Sequence, residues 1–207
     1  MKDINRLNQL ELDALKEFGN IASGNAATAL SQLIGKRIDI SNPSLEIVPV
    51  REAAEMMGKN EEYVAGIYFQ VYGDLAGSIL LTFIRDDAVN LVNMLIPHEE
   101  MNNNILSPLG ESALKEAGNI IAGAYVTALS KILEKNLLLS TPSIAIDMLG
   151  AIIDFIQIEI DQVSEYVIVI KIEFFEQQES IRGNFYLLPN QQFLTNMLDA
   201  VKKLKSS

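Results

Sequence analysis

The chain contains two copies of one unit, and this repeat limits the folds it can adopt more than any other feature. A shift of 99 residues aligns residues 14–44 with residues 113–143 without a gap, and 16 of the 31 paired positions are identical. A match of this length indicates a tandem duplication, with halves near residues 1–100 and 101–207. We therefore expect two similar units related by pseudo-two-fold symmetry.

Each half shows the same order of secondary structure. A long amphipathic helix comes first, and a strand interrupted by proline, a pair of strands and a closing helix follow. The predicted bounds are Gln9–Ile34, Ile38–Val48, Tyr63–Tyr72, Ala76–Ile84 and Asp86–Leu95 in the first half, and Pro108–Leu133, Leu137–Met148, Tyr166–Phe174, Ile181–Leu188 and Gln191–Leu204 in the second. This order predicts an α/β sandwich of the α+β class, with about six strands in one mostly antiparallel sheet and the long helices packed on it. We expect residues 1–207 to form a single domain.

Composition excludes several classes of function. The formal net charge of −11 argues against nucleic-acid binding and against docking on an anionic membrane, since both require clustered Lys and Arg. The chain has no cysteine, and its single histidine, His98, excludes a histidine-based triad or a multi-histidine zinc site. Met1–Leu12 lacks a secretory signal, and no apolar run approaches the roughly 18 residues of a membrane span, which predicts a cytoplasmic protein.

Three polar positions lie on one face of each long predicted helix, because spacings of four and three residues return to nearly the same side. They are Asp13, Glu17 and Asn20 in the first half, and Ser112, Glu116 and Asn119 in the second. The apolar residues occupy another face, so these side chains should point outward. A Gly-Asn pair lies in the middle of both helices, although glycine alone costs about 1 kcal/mol there, which favours a functional role for this face.

An exposed Glu and Asn one turn apart suit a limited kind of chemistry. The carboxamide of Asn holds a donor and an acceptor together, so it can bind and orient one water molecule. It is a weak general base, which favours reactions that need an in-line water more than a proton acceptor. Hydrolysis of an acyl phosphate is such a reaction, because the leaving carboxylate is stable and the transition state is dissociative. The neighbouring carboxylate can then pair with a lysine of the partner.

The spacing of these residues resembles that of a known family. The pattern Asp/Ser-x3-Glu-x2-Asn-x22-Pro occurs twice, ending at Pro43 in the first half and at Pro142 in the second. It resembles the CheC/CheX/FliY family of bacterial phosphatases, which act on phosphorylated CheY, a chemotaxis response regulator. The resemblance covers essentially the whole chain. Two motifs in 207 residues match the CheC branch, since CheX-like members carry one motif and FliY-like members have an additional domain.

The resemblance implies a role for each residue of the two motifs. The Asn of each motif would position the attacking water beside the phospho-aspartate, and the Glu would bond the active-site lysine of the regulator. The implied catalytic residues are Glu17, Asn20, Glu116 and Asn119, and the supporting residues are Asp13, Ser112, Pro43 and Pro142. Prolines at such positions are more typical of an edge strand or a bulge than of direct contact. Mg²⁺ belongs to the regulator, so we expect no metal or cofactor on this chain.

The resemblance also implies a second partner, the receptor deamidase CheD. Its contact is expected around the helix that follows the first strand of the second half, at Asp147, Met148, Ala151 and Ile152. A buried corner between a strand and a helix is the alternative interpretation of this segment.

Two other functions remain open at this point. A non-catalytic chemotaxis or flagellar-switch adaptor could use the same carboxylates to bind CheY or CheD, but it has no need of an amide repeated in both halves. A metal site on the helix face is the weaker alternative, because Asp13 and Glu17 supply at most two hard ligands.

Overall fold

The structure is a computed structural model that describes residues 9–41, 43–49, 52, 62–96, 107–159, 166–176 and 179–203. The helices are α1 (Gln9–Ile34), α2 (Arg85–Leu95), α3 (Pro108–Leu133), α4 (Leu149–Glu159) and α5 (Gln191–Lys203). The strands are β1 (Asp39–Ile40), β2 (Ser44–Pro49), β3 (Tyr63–Gly73), β4 (Gly77–Ile84), β5 (Leu137–Leu139), β6 (Ser143–Met148), β7 (Tyr166–Glu176) and β8 (Glu179–Pro189). The long helices α1 and α3 have the predicted bounds.

All eight described strands belong to one antiparallel sheet, which confirms the predicted fold class. Its order is β1-β7-β8-β4-β3-β5. Strands β1 and β2 follow each other end to end along the outer edge of β7, and β5 and β6 do the same along the outer edge of β3. The two central strands, β4 and β8, are equivalent strands of the two halves and pair with each other, Leu80 opposite Tyr186. The pseudo-two-fold relation therefore passes between them.

The two halves exchange their outer strands. Strands β1 and β2 of the first half pair with β7 of the second, where Ser44 lies opposite Lys171. Strands β5 and β6 of the second half pair with β3 of the first, where Ser143 lies opposite Tyr68. Each half therefore completes the ladder of the other, and neither half builds its edge of the sheet alone.

The two prolines explain why eight strands are present where about six were predicted. Pro43 lies between β1 and β2, and Pro142 lies between β5 and β6, so each predicted outer strand is split in two. Proline has no N–H for the ladder, and it is tolerated here because both segments lie at the edges of the sheet. The edge position that was expected for the prolines is confirmed.

The sheet carries helices on both faces. Helices α1, α2, α3 and α5 pack on one face and bury the larger apolar cluster, and α4 covers the other face with a smaller cluster around Leu80 and Tyr186. The two long helices also pack on each other, where the buried hydroxyl groups of Ser23 and Tyr125 share a short hydrogen bond. The ring of Tyr125 stacks on Phe185 of β8 at a centroid distance of 4.1 Å. In the described part of the chain, no helix combines the length and apolarity needed to span a bilayer.

Candidate active site

The middle of each long helix carries one candidate pair, Glu17 with Asn20 on α1 and Glu116 with Asn119 on α3. Leu15, Phe18 and Ala22 face the sheet from α1, and their equivalents on α3 do the same. Because the buried side of each helix is fixed by this packing, the Glu and Asn of each pair lie on the opposite side. All four side chains are exposed, which confirms that they point outward.

In the first pair the two side chains contact each other. Asn20 Nδ2 donates to Glu17 Oε2 at a distance of 3.5 Å, which is longer than an ordinary N–H···O hydrogen bond of about 2.9 Å. A long and exposed contact is weak, because water competes for both groups. The amide and the carboxylate are therefore adjacent, and an incoming partner can replace this contact at little cost.

Pro43 packs against α1 at Gly19, the residue before Asn20. Pro43 is partly buried in the connection between β1 and β2, and its Cγ would lie 3.7 Å from a methyl group added at Gly19. The outer edge of the sheet therefore approaches α1 directly beside Asn20. Asp13 is exposed one turn before Glu17, on the same face.

The second pair is supported differently. A methyl group added at Gly118 would lie 2.9 Å from both Cγ2 and Cδ1 of Ile67 on β3, closer than real contacts allow. Close packing of α3 on the sheet therefore explains this glycine without any role in catalysis, which corrects the functional meaning that the sequence suggested for it. Ser112 is exposed on the face of Glu116 and Asn119, and Pro142 is partly buried.

The structure separates the four residues expected to contact CheD. Asp147, Met148 and Ala151 are exposed around the start of α4. Ile152 is buried, and its Cδ1 packs over Gly66 of β3, so it anchors the helix to the sheet and cannot present a surface to a partner. For Ile152 the burial favours the alternative interpretation, a buried corner between a strand and a helix, because this residue lies on the inner stripe of α4.

One exposed aromatic residue near this segment was missed. Phe155 on α4 is 61% exposed, while Leu149, Ile152 and Ile156 of the same helix are buried. The helical spacing of these buried residues places Phe155 on the outer side. Extending the periodicity past Ile152 would have found it.

Among the described residues, no group of three or more His, Asp or Glu side chains is arranged to hold a metal ion.

Comparison with known proteins agrees with the motif. The sequence model of the CheC-like family matches residues 10–47 and again residues 109–146. The chain is 32% identical over 197 residues to the CheY-P phosphatase CheC of Bacillus subtilis (strain 168), which covers 92% of this chain and 93% of that protein.

Solved structures share the fold. FliY from Thermotoga maritima superposes with a TM-score of 0.73 at 23% identity and covers 96% of this chain and 98% of its own. The CheX–CheY complex with BeF₃ and Mg²⁺ from Borrelia burgdorferi gives a TM-score of 0.51 at 16% identity, with 84% and 97% covered. Both family matches coincide with the helices that carry the Glu–Asn pairs, and the identity to one relative extends over almost the whole chain. The chain therefore belongs to the CheC-like family.

Proposed function

We propose that this protein is a cytoplasmic phosphatase that removes the phosphoryl group from the phospho-aspartate of the chemotaxis regulator CheY. The observation that carries the proposal is the duplicated Glu–Asn pair, which is exposed on the middle of both long helices. The name of the Bacillus relative, CheY-P phosphatase CheC, and the CheX–CheY complex of the same fold support the choice of substrate.

Asn20 and Asn119 are assigned the orientation of the attacking water. The amide oxygen accepts a hydrogen bond from the water, and the amide N–H₂, which carries two hydrogens, can donate one of them to the phosphoryl group. The water oxygen bonds to phosphorus as the bond from phosphorus to the aspartyl oxygen breaks, and the electron pair leaves with the carboxylate. Both water protons end on the released phosphate, so no strong base is needed in a dissociative transition state.

Glu17 and Glu116 are assigned the positioning of the partner. Each lies one turn from its Asn, so a lysine of the regulator that pairs with the carboxylate is held about one helical turn from the amide. Correct placement of the amide is the main contribution available to such a site, since displacement of a catalytic group by about 1 Å can cost on the order of a hundredfold in rate. The Mg²⁺ that neutralises the phosphate is assigned to the regulator.

The test measures the decay of phosphorylated CheY through the release of inorganic phosphate. Wild-type protein should accelerate the decay, and Asn20→Ala combined with Asn119→Ala should abolish the acceleration. Each single variant should retain about half of the wild-type acceleration if the two pairs act independently and equally. Asn25→Ala is the matched control, because Asn25 is exposed on the same helix, away from the face of Asn20, and the second half naturally has Ala124 at this position.

The same experiment separates a phosphatase from an adaptor. An adaptor would bind phosphorylated CheY without changing the lifetime of its phosphate, and the Asn20→Ala, Asn119→Ala protein would behave like wild type. Normal hydrolysis by this folded double variant would show that the assigned residues are wrong. Melting temperatures unchanged by EDTA would exclude a structural metal on the helix face, and a loss of stability on EDTA addition would support one.

We further propose that the exposed start of α4 binds CheD. The surface consists of Asp147, Met148 and Ala151 with Phe155 one turn later, and it combines apolar side chains with a carboxylate. This surface lies on the face of the sheet opposite to α1 and α3. CheD bound there would leave both Glu–Asn pairs accessible to CheY.

A further inference from the structure

Two other glycines, Gly24 and Gly123, occupy equivalent positions four residues after Asn20 and Asn119. Gly24 is exposed and Gly123 is partly exposed, and both lie within regular helix. Four residues correspond to about 6 Å along the helix axis and to a rotation of about 40°, so each glycine lies on the same face as its Glu–Asn pair. The candidate surface therefore continues into a position without a side chain, once on each helix.

Among the described residues, nothing requires glycine at these two positions. A methyl group added at Gly24 or at Gly123 would have no described atom outside the backbone of its own helix within 4 Å. Neither residue has the positive φ that is found at Gly35 and Gly73, so the backbone does not favour glycine either. Apart from proline, glycine is the weakest helix former, and both helices carry it where alanine would fit. Gly118 differs, because Ile67 occupies the space beside it.

We infer that Gly24 and Gly123 are positioning residues, which let the backbone of the phosphorylated partner approach the helix closely beside each Asn. This inference rests on the proposed function and adds a requirement to it. A side chain at either position would project from the face that carries the pair, into the space of the docked partner. The amide would then be held away from phosphorus, because α1 and α3 are packed on the sheet and on each other and cannot retreat.

The inference predicts opposite effects on stability and on catalysis. Gly24→Ala combined with Gly123→Ala should raise the melting temperature, since alanine strengthens both helices without a clash. The same variant should lower kcat/KM for phosphorylated CheY by roughly ten- to a hundredfold, because a displacement of about 1 Å is costly at a catalytic group. Larger residues such as Gln should lower it further. A purely structural glycine would instead show lower stability after substitution.

Asn25→Ala is again the control, since it also strengthens α1 but adds no bulk to the face of the pair. It should raise the melting temperature and leave kcat/KM unchanged. An active wild-type protein with an equally active Gly24→Ala, Gly123→Ala variant would overturn the inference and leave the proposed function standing. A wild-type protein that fails to accelerate decay of phosphorylated CheY would overturn the proposed function, and this inference with it.

Discussion

Alanine at Gly19 and alanine at Gly118 should have opposite effects on stability, although the two positions are equivalent in the repeat. At Gly19 the new methyl group would lie 3.7 Å from Pro43 Cγ, an ordinary van der Waals distance. At Gly118 it would lie 2.9 Å from two carbon atoms of Ile67. Ile67 is fully buried, so its side chain has no open space into which it can move.

The magnitudes follow from these two environments. Gly19→Ala should gain about 1 kcal/mol, because alanine is the better helix former and nothing must move. Gly118→Ala gains the same free energy of unfolding from helix propensity, but overpacking of a close-packed core costs about 1–3 kcal/mol. The net expectation for Gly118→Ala is a loss of about 1 kcal/mol, so the two variants should differ by about 2 kcal/mol. For a chain of this size that difference corresponds to about 4–8 °C in melting temperature.

Thermal and urea unfolding of the two single variants and the wild type would measure this difference directly. Urea midpoints should shift without a change in slope, because neither variant alters the surface exposed on unfolding. If Gly118→Ala were as stable as Gly19→Ala, the close contact with Ile67 would not limit the packing of α3. The explanation of Gly118 by packing would then be refuted, and a functional reason for that glycine would be needed again.

Three further predictions concern other parts of the molecule. Tyr125→Phe removes the buried partner of the Ser23 hydroxyl and should cost about 1–3 kcal/mol in urea unfolding, while Tyr125→Phe with Ser23→Ala should recover part of that loss. Burial raises the pKa of the Asp87 carboxyl above 3.8, and Arg182 opposes this shift. The native state therefore binds the carboxyl proton more tightly than the unfolded state, so the protein loses stability as the pH rises from 3.8 through the raised pKa of Asp87. Asp87→Asn should therefore stabilise the protein at pH 7, with an advantage that disappears below pH 3.8 in pH-dependent unfolding. Under the proposed contact with CheD, Ala151→Arg should abolish that binding in calorimetry without lowering the melting temperature, because Ala151 is exposed, and unchanged affinity would show that α4 does not bind CheD.

The exposed faces of α1 and α3 could be predicted because their cause is local. Helical periodicity places the buried stripe on one side, and it requires no knowledge of what the stripe packs against. The start of α3 was equally readable, since Ser107 caps the helix by accepting from the Gly110 N–H at 3.1 Å and Pro108 occupies the first helical position. The outward direction of Asn20 and Asn119 followed from the same pattern.

The inner and outer residues of α4 were predicted less well. Asp147, Met148, Ala151 and Ile152 were all expected to contact a partner, without a division into inner and outer residues. The structure buries Ile152 over Gly66 and exposes Phe155. An isoleucine and a phenylalanine in an apolar stretch do not differ enough in hydrophobicity to decide which is inside. The helical spacing of Leu149, Ile152 and Ile156 is the only local signal that separates them.

Local sequence patterns were enough to predict the duplication, the two long helices and the outward position of both Glu–Asn pairs, because each depends on identities or spacings within a short segment. The fold was needed to show that β2 pairs with β7 and β6 with β3, so that the halves exchange their outer strands. It also decided that equivalent glycines have unlike neighbours, Pro43 in one half and Ile67 in the other. Strand partners and helix contacts join residues far apart in the chain, and local periodicity carries no information about them.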